Sequence, residues 1–124
     1  MENNILDIQI GGDHYKKLVM QPIVLITKAN CNFIQGCIIK YISRYKCKNG
    51  KEDVLKCIHY AELALELLPE ETNYFSLGLG YSYIKANSLS YYEGNVIIET
   101  LRGNYSNVII NCRKILQKEY ANEV

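Results

Sequence analysis

Apolar residues recur at helical spacing along most of the chain, and a few strong punctuators divide the pattern into elements. Ile5, Ile8 and Ile10 alternate loosely ahead of Gly11-Gly12, which predicts a short arm or strand leading into a turn. Pro22 suits the first turn of a helix running through Ile23, Ile26 and Ala29 and stopping near Asn30. A second helix is expected from Phe33 to Lys46, with Ile34, Ile38, Tyr41, Ile42 and Tyr45 on one face and Lys40 and Arg44 on its flank. Asn49-Gly50 turns the chain into a third helix that ends at Leu68 before Pro69 and is expected to bury Val54, Ile58, Ala61, Leu65 and Leu68.

After Pro69 the pattern begins again. Ile26-Thr27-Lys28-Ala29-Asn30 echoes Tyr83-Ile84-Lys85-Ala86-Asn87, with Lys28 and Lys85 lying 57 apart. Phe33 to Ile39 echoes Tyr91 to Ile97, with Gly36 and Gly94 lying 58 apart, and Arg44 answers Arg102. The turn from Lys46 to Lys51 shortens to Gly103-Asn104, Asp53-Val54-Leu55 matches Asn107-Val108-Ile109, and a last helix ends near Tyr120. The expected fold is all-α, with two similar three-helix units, 10–68 and a degenerate repeat at 73–121, packed about a pseudo-twofold axis as one small domain. The runs Val96-Ile97-Ile98 and Val108-Ile109-Ile110 exceed one amphipathic stripe, which points to a homo-oligomer if they are helical; strands are the alternative.

Composition narrows the function classes. With 124 residues, 48% of them hydrophobic, the chain has material for one real core and is too short for a multidomain enzyme. Fourteen basic residues against 13 acidic ones leave a net charge of +1, so no broad field exists to draw in a long nucleic acid. No apolar run approaches the length of a membrane span, and five cysteines without a C-x-x-C pair or a signal peptide fit a reduced cytoplasm. Eleven tyrosines with 2 Phe and no Trp hint at ligand contact or at a wet core edge.

Two groups could carry chemistry. Gly11-Gly12-Asp13-His14-Tyr15 puts a flexible pair before a carboxylate, an imidazole and a phenol, suited either to an anion or to a simple capped turn. Lys40, Arg44, Lys46 and Lys48 gather at the end of the second helix with Tyr41 and Tyr45 between them, which serves phosphate binding and equally complements the helix dipole. Leu77-Gly78-Leu79-Gly80 lacks the context of a dinucleotide loop, and no P-loop occurs. His14 and His59 with scattered cysteines give no zinc spacing and no preferred nucleophile.

Gly12-Asp13-His14-Tyr15, Met20-Gln21-Pro22-Ile23, Gly36 with Ile39-Lys40-Tyr41, Arg44-Tyr45-Lys46, Asn49-Gly50, and Glu52-Asp53 with Lys56 and His59-Tyr60 together resemble the small bacteriophage family of nucleotide-kinase-like proteins. The resemblance covers residues 10–68. It implies a site lined by His14, Tyr15, Lys40, Tyr41, Arg44, Asp53, Lys56 and Tyr60. Cys37 departs from it where the family has Asn, and Glu99-Thr100 stand in the second half where Lys-Tyr would be expected.

Because phosphoryl transfer depends on positioning and charge neutralisation, such losses cost turnover more than binding. The first expectation is therefore a phage protein in the cytoplasm of an infected host that binds a small nucleotide or nucleotide second messenger, sequestering it against host defence with no cofactor. The resemblance itself implies the alternative, a nucleoside-monophosphate kinase using ATP and Mg2+. There Lys40 and Arg44 would neutralise phosphate, Asp53 would hold the metal and His14 would position the acceptor. A third reading is a helical interaction module whose tyrosines contact a host enzyme.

Overall fold

The Asn32 side chain accepts a hydrogen bond from the Gln35 amide while the Gln35 side chain accepts one from the Asn32 amide, and Ser90 and Glu93 repeat the arrangement. Each reciprocal cap fixes the start of a 12-residue helix, α2 (Phe33–Arg44) and α5 (Tyr91–Arg102). The structure is a computed structural model and describes residues 5–8, 10, 18–69 and 77–123. Within them the remaining helices are α1 (Pro22–Lys28), α3 (Lys51–Leu67), α4 (Leu77–Ala86) and α6 (Tyr105–Glu119). No strand occurs among the described residues, so the fold is all-α. None of these helices is long and apolar enough to cross a membrane.

The short helix before each capped one ends alike. Asn30 and Ser88 take left-handed φ values of 53° and 52°, and the amides of Cys31 and Leu89 close back on the carbonyls of Ile26 and Ile84, each at 3.0 Å. Gly36 and Gly94 then let those same isoleucines approach: a Cβ would lie 3.3 Å from Ile26 Cγ2 in one half and 3.2 Å from Ile84 Cγ2 in the other. The turn geometry thus equates Ile26 with Ile84 and Asn30 with Ser88, an offset of 58 throughout. The pairing of Lys28 with Lys85 at 57 is one residue out; it followed letter identity in the turn.

Like elements pack on like. The α3–α6 interface is the most extensive, and α2 also packs on α5. Gln35 Nε2 donates to the Thr100 carbonyl at 3.0 Å, and Glu93, the residue answering Gln35, meets Lys46 just beyond α2 at 3.0 Å. Each helix's first turn therefore reaches the far end of the other, as an isologous contact requires. Three buried tyrosines cross between the halves: Tyr83 meets Ser43 Oγ at 2.5 Å, Tyr45 donates to Glu119 at 2.6 Å, and Tyr105 bonds the Asn32 side chain. Three of the 11 tyrosines thus serve the inner seam, each with its hydroxyl hydrogen-bonded.

Several expectations change. Ile5–Asp7 form a 3-10 turn rather than a strand, and Ile5, Ile8 and Ile10 are exposed. The second helix stops at Arg44 and tightens into a 3-10 turn over Tyr45–Cys47. In α3 the core takes Val54, Cys57, Ile58, Ala61 and Ala64, whereas Leu65 is 53% exposed and Leu68 half-buried. Small residues share the buried side of α3 with Val54 and Ile58, and the reading by size favoured the leucines. Val96, Ile97 and Ile98 are buried inside the chain because α5 packs against α2, α4 and α6, so this run does not itself call for a second copy.

Gly80 sits where α4 closes on α5, and a Cβ there would lie 2.6 Å from Leu101 Cδ1 and 3.1 Å from Ile98 Cδ1. Gly80→Ala is expected to cost about 1–3 kcal/mol through overpacking. Gly78→Ala, with nothing within 4 Å of its Cβ, is expected to gain up to about 1 kcal/mol from helix propensity. Urea denaturation of the two variants checks this pair of opposite signs.

Candidate functional site

Asp53 lies in the first turn of α3 and is fully buried, and Arg44, the last residue of α2, is 7% exposed beside it. Arg44 Nε and Nη2 each stand 3.2 Å from one carboxylate oxygen, a two-point contact. The Asn49 amide donates to Asp53 Oδ2 at 3.4 Å, and Lys56 Nζ is 3.8 Å from Oδ1. This network joins the ends of two helices across a turn. Burying two charges costs heavily in desolvation, which such bidentate geometry and the added amide offset.

The tyrosine one turn before Arg44 completes the cluster. The Arg44 guanidinium carbon lies 4.7 Å from the centroid of the Tyr41 ring, Lys56 Nζ 5.0 Å and Lys40 Nζ 5.6 Å, so three cations share one electron-rich ring. The Tyr60 ring runs nearly parallel to that of Tyr41, with centroids 6.0 Å apart and an interplanar angle of 17°, and Phe33 meets Tyr60 edge-on at 6.3 Å. The Cys37 thiol acts on Tyr60 through its charge when ionised and through a hydrogen bond, and both hold the phenol above its ordinary range.

Six of the eight residues singled out, Lys40, Tyr41, Arg44, Asp53, Lys56 and Tyr60, therefore stand together; His14 and Tyr15 lie outside the described residues, as do Gly11 to Asp13. Their pairing bears on the roles the resemblance implies. Arg44 would have to release Asp53 to offer its fork to a phosphate, and Asp53 would have to leave Arg44, Lys56 and the Asn49 amide to hold a metal. Lys46, grouped with them by sequence, faces the other way onto Glu93. Leu77-Gly78-Leu79-Gly80 is the first turn of α4, where Gly80 serves helix packing.

A groove of about 490 Å³ between α1 and α2 adjoins the cluster. Pro22, Ile23, Ile26 and Phe33 supply apolar walls, with Gln21, Asn32, Cys37 and Lys40 among its polar lining. Phe33, Cys37 and Lys40 belong to both features. Sequence reasoning missed the α1 wall; the one available signal was Gly36, the small residue that lets α1 lie against α2. Cys31 also lines the groove, and burial raises its thiol from 9.0 to about 11.

Among the described residues the second half has no such cluster. Counting from the matched caps, Ile98 stands in place of Lys40 and Glu99 in place of Tyr41, so the pairing of Glu99-Thr100 with Lys-Tyr is one residue out; Asn107 stands where α3 has Asp53. Asn107 Nδ2 donates to Glu99 at 3.3 Å, and Arg102 pairs with the same Glu99 at 3.3 Å.

A family described as a protein of unknown function, DUF3310, matches residues 11–62, a stretch that takes in α1, α2 and most of α3. No curated protein and no solved structure matches the chain. The resemblance to nucleotide-kinase-like proteins is corrected by this result: the first half is similar to DUF3310, and no nucleotide-kinase family matches.

Removing one partner of the buried pair leaves the other charge uncompensated, so Asp53→Asn is expected to cost about 3–5 kcal/mol. Lys56→Met should cost less than about 1 kcal/mol, as a partly exposed pair does; urea midpoints distinguish the two. Burial pushes the pKa of Cys31, Tyr45 and Tyr105 upward, because it disfavours their charged forms. The folded chain then keeps protons that the unfolded chain has released, so stability is full at neutral pH and falls as pH rises above the ordinary thiol value of 9.0. Melting temperatures between pH 7 and pH 11 check the direction.

Proposed function

We propose that the groove between α1 and α2 holds a small nucleotide, its base against Ile23, Ile26 and Phe33 and its phosphate on Lys40. One observation carries the reading: Lys40, an exposed cation without a carboxylate partner among the described residues, lines an otherwise mainly apolar groove of about 490 Å³. That volume lies in the range of small-molecule sites, which pair apolar walls with a few placed polar groups. Lys40, Arg44 and Lys56 gather at the Tyr41 ring, and Asp53 offsets only part of their charge, which favours an anion beside Lys40.

Holding the ligand unchanged is favoured over converting it. The carboxylate of this cluster is committed to Arg44, Lys56 and a backbone amide, so it is poorly placed to act as a base or to take a cation. The reading extends to a nucleotide second messenger, whose sequestration would spare an infecting phage from a host response. The groove's chemistry does not depend on that setting.

A melting screen against nucleoside monophosphates, ATP, cyclic dinucleotides and ADP-ribose, with and without magnesium, tests the proposal. A ligand at about 100 times its Kd adds roughly 2.7 kcal/mol, several degrees in a chain of this size. The expected result is stabilisation by at least one nucleotide, lost in Lys40→Ala, with the nucleotide recovered chemically intact. No shift across the panel would sink nucleotide binding, and a new nucleotide species in the recovered ligand would sink simple holding.

A further inference from the structure

The two halves have the same caps and the same turns at an offset of 58, so every residue lining the groove has a counterpart in the second half. Pro22 answers Gly80, and Lys40 answers Ile98. In the first half Pro22, buried at the start of α1, and Lys40, exposed near the end of α2, both line the open groove. In the second half their counterparts touch: a Cβ on Gly80 would lie 3.1 Å from Ile98 Cδ1, and Gly80 and Ile98 are both buried.

We infer that the chain carries one anion-accepting groove, with Pro22 and Lys40 as its specificity-determining residues, and that Gly80 and Ile98 close its counterpart. The inference rests on the groove being the ligand site. Its physical basis is separate from the identity of the ligand. Pro22 carries a ring where Gly80 has only hydrogen, and even a Cβ at Gly80 would lie 2.6 Å from Leu101 Cδ1, so the close packing of α4 on α5 at this place has no room for a proline. Lys40 then lines open space with an ammonium group, while Ile98 fills the equivalent space with a side chain that carries no charge. An anionic ligand with an apolar body finds both wall and charge in the first groove and neither in the second.

The test uses 8-anilinonaphthalene-1-sulfonate, a fluorescent probe that combines aromatic rings with a single anion, titrated into the full chain. The expected result is one site per chain that weakens about tenfold or more in Lys40→Ile, the loss of one charge-assisted contact, and stays within about threefold in Lys40→Arg. Because Lys40 is exposed, circular dichroism and melting of both variants should match the parent chain. Two equivalent sites per chain, no site at all, or one site indifferent to Lys40→Ile would overturn the inference. Competition with the nucleotide panel separates it from the functional reading: a single Lys40-dependent site that no nucleotide displaces upholds the inference and defeats nucleotide binding.

Discussion

The buried pair of Arg44 and Asp53 is the constraint around which the first half is arranged. It sits where α2 ends and α3 begins, and with the Asn49 amide it sets how the two helices leave the turn between them. Arg44 is thereby held over Tyr41, and Asp53 draws Lys56 to the same ring. Tyr60 stacks on that ring, and Phe33 and Cys37 follow from it toward the groove. A charge pair deep in the helix junction thus gives order to an exposed edge, because each group in the sequence is the nearest polar or aromatic partner of the one before.

Among the described residues the second half reaches a similar fold without an ion pair buried on both sides: its buried carboxylate, Glu93, meets the exposed Lys46. Glu99, Arg102 and Asn107 form a shallower network, and the core there relies on Val96, Ile97, Leu101 and Val108. Where Arg44 and Asp53 occur, they are better understood as fixing one local arrangement than as adding to stability.

Helix positions were legible because Pro22, Asn49-Gly50 and Pro69 are strong punctuators, and the capping residues Asn32 and Ser90 reinforce them. Burial was less legible. The buried side of α3 includes Cys57, Ala61 and Ala64, and small residues announce themselves weakly in a pattern judged by hydrophobic size. The aromatic and basic cluster could be anticipated, since Lys40, Tyr41 and Arg44 fall within about one turn of α2. The commitment of Arg44 to Asp53 could not, because it depends on how the turn between two helices folds back. The groove was also hidden: its α1 wall becomes a wall only through the packing of α1 against α2.

The packing of α2 on α5 and α3 on α6 has a consequence for how this chain can vary. In a symmetric pair of identical subunits every substitution appears twice, and a residue that opens a groove in one subunit opens it in the other. Here the two positions related by the axis are different letters of one sequence, so each can be selected alone. Proline and glycine can stand at the same place and differ in outcome, one beside an open groove and the other sealed into the core. The stretch matched by the family covers the open side, and the sealed side then supplies, within the same chain, the surface against which it folds.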